Sequence, residues 1–108
     1  MTNNGMKFSK GDIVLVEFPF SNLIDAKKRP VLIIGEKEED IITLAITSNP
    51  ESEGILLDEF SDGTLPFESK AKHWQIHTLL KSLVSRKIAK ISKKKYDEII
   101  EKVYQLVR

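Results

Sequence analysis

The sequence predicts a small domain that is mainly β and ends in one α-helix. Short runs of β-branched and apolar residues recur over residues 13–47, and clusters of Gly, Pro, Asn, Asp and Ser separate them. The C-terminal segment instead has apolar residues at helical spacing. Evenly spaced short strands with turn signals are typical of a small barrel or sandwich, because closure removes exposed sheet edges.

Two prolines set the limits of the first two predicted strands. Residues 13–18 form an apolar run that stops at Pro19, and we interpret them as a strand buried on both faces. Residues 20–28 are polar and rich in turn formers, which indicates a long loop. Pro30 opens the next run, residues 31–34, at a position where its missing N–H costs no ladder bond.

The later elements are read in the same way, and the pattern weakens toward the middle of the chain. We expect a third strand at 41–47, a weak run at 54–57, a turn at 61–63, an extended segment at 69–76, and a short helical turn leading into a last strand within 82–91.

The C-terminal helix is indicated by one apolar stripe. Its members follow the i, i+3, i+4, i+7 pattern and are Tyr96, Ile99, Ile100, Val103, Leu106 and Val107. Ser92 is the expected N-cap, although Lys93, Lys94 and Lys95 oppose the helix dipole. These lysines either contact an external partner or, as their position before the apolar stripe favours, only keep the protein soluble. The predicted organisation is a flexible tail at 1–10 and one domain at 11–108, with the helix at about 93–107.

Composition excludes several classes of protein. The 108 residues contain no cysteine, which rules out a disulfide scaffold and a thiolate zinc site. Hydrophobic residues make up 41% of the chain, enough for a core without a metal or disulfide. No apolar run approaches the ~20 residues that span a bilayer, and the N-terminus lacks the apolar stretch of a secretory signal. We therefore expect a soluble cytoplasmic protein without a membrane partner.

Charge is segregated along the chain although the net charge is only +1. Residues 1–68 hold 6 basic and 13 acidic side chains, a net charge of −7. Residues 69–108 hold 11 basic and 3 acidic side chains, a net charge of +8. Such asymmetry points to a surface that meets phosphate or an acidic partner, or to lysines that only keep the protein soluble.

The strongest chemical signal is the basic tripeptide before Pro30. Proline restricts the preceding Arg29 to extended geometry, while Lys27 and Lys28 lie on the loop side. A guanidinium held in place donates paired hydrogen bonds to a phosphate, whereas a lysine ammonium acts as a point charge. The alternative is that these cations only protect a sheet edge from aggregation.

Two further groups of polar residues are candidates for nucleic-acid binding. Thr47, Ser48 and Asn49 leave the end of an apolar strand, where hydroxyls position a phosphate or ribose but where turn formers are also ordinary. The second group combines basic residues with one aromatic residue and contains Lys70, Lys72, His73, Trp74 and His77. Nucleobases stack on such an aromatic ring, and the alternative is that Trp74 belongs to the hydrophobic core.

Other chemistries lack their motifs. His73 and His77 are four apart, but the segment between them lacks the glutamate of zinc peptidases and is predicted to be extended. The chain has no glycine-rich phosphate loop and no serine between glycines. No metal and no other cofactor is expected.

Several segments together resemble the MazF/PemK family of toxin endoribonucleases. The opening strand Gly-Asp-Ile-Val-Leu-Val-Glu-Phe-Pro-Phe at 11–20, Lys-Arg-Pro-Val-Leu-Ile-Ile at 28–34 and Ala-Ile-Thr-Ser at 45–48 are similar to its first three strands. Ser69 and parts of 78–92 resemble its later strands. The match runs nearly from end to end.

This resemblance implies an SH3-like barrel with a C-terminal helix, a homodimer, and metal-independent cleavage of single-stranded RNA that a cognate antitoxin inhibits. Arg29 falls on the family's catalytic arginine, and Thr47 falls on its active-site threonine with Ser48 beside it. The loop at 20–28 falls on the loop that borders the RNA groove and is reordered by antitoxin.

One position departs from the family pattern. Lys72 stands where many members have a basic residue, but Trp74 stands where many have an acid two positions later. The predicted catalytic residues are Arg29 and Thr47, and the predicted RNA-binding residues are Phe20, Lys27, Lys28, Ser48, Asn49, Lys70, Lys72 and His77.

The chemistry can also be stated without the family. Metal-free RNA cleavage needs the 2'-OH to attack its own phosphate, a base for that proton, an acid for the 5'-oxygen, and cations for the phosphorane. Arg29 fits the cationic role better than that of a general acid. The general base is His73, His77 or neither, since strand alternation puts both on one face without showing what that face meets.

Two alternatives to a toxin endoribonuclease remain at the level of sequence. One is a non-catalytic SH3-like module that binds RNA or protein through the same groove. The other is a decayed toxin homologue with little cleavage, for which Trp74 is the motivating residue.

Overall fold

The computed structural model describes residues 7–17 and 28–108. Its elements in chain order are β1 (Asp12–Glu17), β2 (Lys28–Lys37), β3 (Asp40–Thr47), β4 (Ile55–Leu56), β5 (Phe60–Gly63), β6 (Lys70–Leu80), a 3-10 turn (Lys81–Leu83), β7 (Val84–Ile91) and α1 (Lys93–Val107). The predicted mainly β fold with a C-terminal helix is confirmed. The helical turn before the last strand is confirmed as well.

The strands form one antiparallel sheet in the order β4-β6-β3-β2-β1-β7-β5. Its edge strands β4 and β5 are joined by only residues 57–59, so the sheet must curl until its two edges approach. Leu57 N–H donates to Ser69 O, and Glu59 O accepts from Ser92 N–H. The connecting residues therefore form backbone hydrogen bonds with segments at both edges of the sheet. Among the described strands, β4 and β5 do not pair with each other, so the sheet is not closed.

Two buried clusters cover the two faces of the sheet. Ile13 and Leu32 belong to the first cluster, whereas their neighbours Val14 and Val31 belong to the second. Consecutive strand residues point to opposite faces, so β1 is buried on both sides as predicted. Each of these side chains contributes about 1.5–3 kcal/mol by its burial. Phe8, which lies within the predicted tail, is also buried in the second cluster.

The helix packs its apolar stripe on the first cluster. Ile99 is fully buried, and Tyr96 packs against the same cluster while its hydroxyl donates to Ile34 O at 2.8 Å. Burial raises the pKa of Tyr96, and the charge of Asp97 adds to the effect. Ser92 is the N-cap, since its hydroxyl accepts from the Lys95 N–H at 3.1 Å.

Two of the three lysines at the start of the helix, Lys93 and Lys95, have carboxylate partners within the chain. Lys95 is only 6% exposed, and its ammonium lies 3.1 Å from both Asp58 and Glu98. Burial alone lowers the pKa of Lys95, but the hydrogen bonds and charges of the two carboxylates outweigh burial and raise it. Lys93 pairs with Asp97 at 2.9 Å. Lys93 and Lys95 are therefore neutralised by carboxylates of the same chain, which makes an external partner unnecessary for these two residues.

Two strands differ from prediction. Residues 61–63, expected to be a turn, belong to the short edge strand β5, which is polar and has no alternation to reveal it. Gly63 has φ +65°, and a Cβ there would lie 2.7 Å from Ile88 O. The extended segment expected at 69–76 continues to Leu80. It contains three residues, 73–75, that bulge opposite the step from Leu44 to Ala45.

Candidate active site

A cleft of about 450 Å³ opens where β2 begins and β3 ends. Strands β1 and β7 and the loop before β6 complete its walls. Its described lining residues are Leu15, Arg29, Pro30, Ile46, Thr47, Ser48, Leu65, Pro66, Phe67, Ser69, Arg86 and Ile88. This lining contains two arginines and no carboxylate, so its charge suits an anion.

Arg29 stands at the rim of this cleft on a fixed piece of backbone. It pairs with Val16 of β1, and the following Pro30 pairs with Leu15. Pro30 restricts Arg29 to extended geometry, and the ladder to β1 holds it there. The side chain is exposed, so its guanidinium is accessible to a ligand. The predicted fixed arginine is therefore present as a strand residue.

Thr47 is the last residue of β3 and lies beside Arg29. Val31 pairs with Ala45, and extending that antiparallel register by two residues places Arg29 opposite Thr47. The Thr47 hydroxyl accepts from the Asn49 N–H at 3.1 Å, and the Asn49 side-chain oxygen accepts from the Glu51 N–H at 3.0 Å. Because a hydroxyl also carries one donor, Thr47 keeps a proton to offer a bound anion.

Arg86 is a site residue that sequence reasoning missed. It lies in β7 and pairs with Leu15, the same residue that pairs with Pro30 on the other side of β1. A bulge at Ser85 separates it from Val84, which pairs with Val16. Simple alternation would place Arg86 on the buried face of Val84, so the bulge is what turns it toward the cleft.

A second cleft of about 430 Å³ adjoins the first. The two clefts share Thr47, Ser48 and Phe67. The remaining lining residues of the second cleft are Asn49, Pro50, Gly54, Leu56, Glu68 and Lys70. The predicted residue Ser48 therefore lies at the junction of the two clefts, and the predicted residue Asn49 lines the second cleft only.

Lys70 lines the second cleft but its ammonium is already engaged. It donates to Ser52 O at 2.8 Å and to Pro50 O at 3.3 Å. Two carbonyls of the loop after β3 are therefore held by one side chain of β6. We interpret Lys70 as a residue that positions this loop, in addition to being a cation near a ligand.

The other predicted binding residues of β6 are absent from the described lining of both clefts. Lys72 pairs with Ala45 and His77 pairs with Thr43, whose hydroxyl donates to His77 O at 2.9 Å. The bulge at 73–75 breaks the alternation on which a common face for the two histidines was inferred. Neither His73 nor His77 is among the described lining residues of either cleft.

Trp74 occupies the bulge of β6 and is 42% exposed. Its ring meets the imidazole of His73 edge-on, with 5.2 Å between the ring centroids. Within the described part of the chain, the Nδ1 atom of His73 is buried without a hydrogen-bond partner. Neither side chain lines the described walls of the two clefts.

The remaining predicted residues lie on the connection from β1 to β2. Phe20 and Lys27 fall outside the described residues, as does most of the loop predicted at 20–28. Lys28 is exposed at the first position of β2, where it pairs with Glu17. Over residues 7–17 and 28–108, no three His, Asp or Glu side chains are grouped as metal ligands.

Comparison with known proteins decides the family. Residues 9–107 match the sequence model of the PemK-like, MazF-like toxins of type II toxin–antitoxin systems. The chain belongs to this family. No curated protein matches the sequence.

Solved structures of MazF-like toxins have the same fold as this PemK/MazF-like chain. A mycobacterial endoribonuclease in complex with its cognate antitoxin has 12% identity and a TM-score of 0.66, covering 92% of this chain and 96% of its own. The Mycobacterium tuberculosis toxin MazF-mt6 has 15% identity, a TM-score of 0.67 and coverages of 87% and 93%. MazF from Deinococcus radiodurans has 14% identity, a TM-score of 0.67 and coverages of 91% and 94%.

No helix in the described part of this PemK/MazF-like chain is long and apolar enough to cross a membrane.

Proposed function

We propose that this chain is a toxin endoribonuclease that cleaves single-stranded RNA, including mRNA, without a metal ion. The observation that supports this most is the convergence of Arg29, Arg86 and the Thr47 hydroxyl on one cleft whose described lining has no carboxylate. Such a cleft attracts a phosphodiester and stabilises additional negative charge on it. Membership of the toxin family supports the same activity.

The proposed reaction is an internal displacement on phosphorus. The 2'-oxygen forms a bond to the adjacent phosphorus, the bond to the 5'-oxygen breaks, and the products carry a 2',3'-cyclic phosphate and a 5'-hydroxyl. Charge grows on the non-bridging oxygens in the transition state, where Arg29 and Arg86 donate paired hydrogen bonds. The Thr47 hydroxyl orients the phosphate or the 2'-OH.

Proton transfer is assigned to water. The described lining of the first cleft has no His, Asp or Glu, so it offers no side chain with an ordinary pKa near neutrality. Water takes the 2'-OH proton and protonates the leaving 5'-oxygen. The protein therefore accelerates cleavage mainly through electrostatic stabilisation and orientation.

The test is incubation of the purified protein with a long single-stranded RNA in EDTA, followed by analysis of the fragment ends. Arg29→Ala is compared with Lys94→Ala, which removes an exposed helix lysine that is in neither cleft lining. We expect 2',3'-cyclic ends from wild type and Lys94→Ala and their loss in Arg29→Ala. Intact RNA that still binds tightly would instead indicate the non-catalytic module or the decayed homologue, for which Trp74 is the position to examine.

We also propose a homodimer that acts in the cytoplasm and is inhibited by a cognate antitoxin. A mycobacterial structural neighbour has been solved with its antitoxin. The acidic, disordered tail of such a partner would fold along the arginine cleft and cover Arg29. Exposed apolar residues on β6 and α1 provide surface for self-association; they include Ile76, Leu80, Tyr104, Leu106 and Val107. Analytical ultracentrifugation tests the dimer.

A further inference from the structure

Phe67 is a large apolar side chain that stands between the two clefts. It is 71% exposed and lines both cavities. A single exposed apolar residue is ordinary on a protein surface. Phe67 is distinguished by its position between the two clefts. Trp74 is also exposed, but it is absent from the described lining of both clefts.

The backbone that presents Phe67 is fixed on both sides. Pro66 has a restricted φ angle, and the Ser69 hydroxyl donates to Phe67 O at 2.8 Å. Ser69 is itself buried, and its carbonyl accepts from the Leu57 N–H at 2.9 Å. An exposed ring on a restrained backbone loses little entropy when a flat ligand covers it.

The second cleft supplies polar groups beside this ring. Glu68 contributes an exposed carboxylate, which only accepts hydrogen bonds when ionised. Asn49 has its side-chain oxygen engaged by Glu51 N–H, which leaves its NH₂ group as the donor. Gly54 also lines this cleft, and its backbone lies so close to β6 that a Cβ there would be 2.8 Å from Ala71 O. The Lys70 ammonium is occupied by two loop carbonyls.

We propose that Phe67 and the second cleft form a nucleobase subsite of the RNA cleft. The base next to the phosphate held by Arg29 stacks on the Phe67 ring, and Glu68 accepts a hydrogen bond from its exocyclic amino group. Adenine, cytosine and guanine have that group. Uracil lacks that group, and its one ring donor, N3–H, lies between two carbonyl oxygens that the carboxylate repels, so this position disfavours uracil.

The subsite rests on the proposed RNA-cleaving function, so its test must separate the two. The probes are non-cleavable single-stranded RNAs that carry 2'-deoxyribose at every cleavage position and differ in one base. Fluorescence anisotropy gives their Kd for wild type, Phe67→Ala, Glu68→Gln and the matched aromatic control Trp74→Ala. The same variants then cleave a random-sequence RNA, and sequencing of the fragment ends gives the base preference at each flanking position.

We expect Phe67→Ala to raise Kd by about 5- to 150-fold, the range measured for loss of one base–aromatic stack, while Trp74→Ala leaves Kd near wild type. Glu68→Gln should remove the discrimination against uracil at one flanking position, because an amide both donates and accepts. If Phe67→Ala and Trp74→Ala behave alike, the subsite is wrong even though cleavage continues. If Phe67→Ala changes self-association or antitoxin binding and leaves RNA affinity unchanged, the subsite is also wrong.

Absence of cleavage by the wild-type protein would overturn the proposed function but not the nucleobase subsite. The anisotropy measurements need no chemistry and still decide whether Phe67 binds a base. The three substituted side chains, Phe67, Glu68 and Trp74, are exposed, so circular dichroism should show folded variants.

Discussion

Arg29 and Arg86 line the same cleft although they belong to strands on opposite sides of β1. Leu15 connects them, since it pairs with Pro30 in β2 and with Arg86 in β7. Two guanidinium groups on a rigid ladder form a preorganised cationic site.

Arg86→Ala should lower the rate of RNA cleavage by about 100-fold, the typical cost of losing one preorganised donor to a developing charge. Arg86→Lys should recover part of the rate, because a point charge remains but the paired donors are lost. The slope of log Kd against log salt should fall in magnitude by about 0.7 in Arg86→Ala if the side chain contacts one phosphate. Single-turnover kinetics and a salt titration test this, and unchanged rate and slope would remove Arg86 from the site.

Thr47→Val should reduce cleavage by about tenfold or more, since it removes a hydrogen bond to a charged phosphate while keeping the side chain's shape. Thr47→Ser keeps the hydroxyl and should retain most of the activity. The Asn49 N–H that loses its acceptor is exposed and can bond to water, so stability should change little. Equal rates for the valine and serine variants would contradict the role assigned to the hydroxyl.

Lys70→Met should loosen the loop after β3, because its ammonium holds the carbonyls of Pro50 and Ser52. Amide hydrogen exchange should quicken at residues 51–53 in the free protein. RNA affinity should fall through disorder of the second cleft, with little change in the salt slope. A reduced salt slope with unchanged exchange would instead make Lys70 a direct phosphate contact.

His73→Gln and His77→Gln should each retain cleavage near the wild-type rate, because neither residue is in the described lining of the clefts. The pH–rate profile should keep its shape between about pH 5 and 8, where an ordinary histidine titrates. Thermal unfolding of each variant controls for loss of structure, since His77 lies within the sheet beside the buried Thr43. A folded variant that loses cleavage would identify that histidine as the general base.

Lys95→Met should destabilise the protein by about 2 kcal/mol at neutral pH, because it removes charged hydrogen bonds to Asp58 and Glu98. The pKa of Lys95 is raised on folding, so its contribution is complete below the ordinary value of 10.5 and declines as the pH rises through the folded value. The free-energy difference between wild type and Lys95→Met should therefore shrink in strongly alkaline solution. Lys94→Met, at an exposed neighbouring position, is the control for general lysine titration.

Local patterns predicted the elements that have strong periodicity. The apolar run of β1 and the helical stripe around Ile99 matched their positions, because burial of one face dictates the spacing of apolar residues. Ser92 was predicted as the N-cap from its place before the stripe, and its hydroxyl performs that role. The edge strand β5 was missed, since a short polar strand buries too little to impose a pattern.

The sequence by itself determined the mainly β fold, the C-terminal helix, and the positions of Arg29 and Thr47 at strand ends, since these follow from local backbone preferences and apolar spacing. Only the tertiary structure decided that Arg86 joins them, because a bulge reverses the face that alternation assigns to it. It also decided that Lys70 binds loop carbonyls and that a bulge in β6 breaks the alternation that placed His73 and His77 on one face. Bulges and long-range pairings depend on neighbouring strands, and no local pattern encodes them.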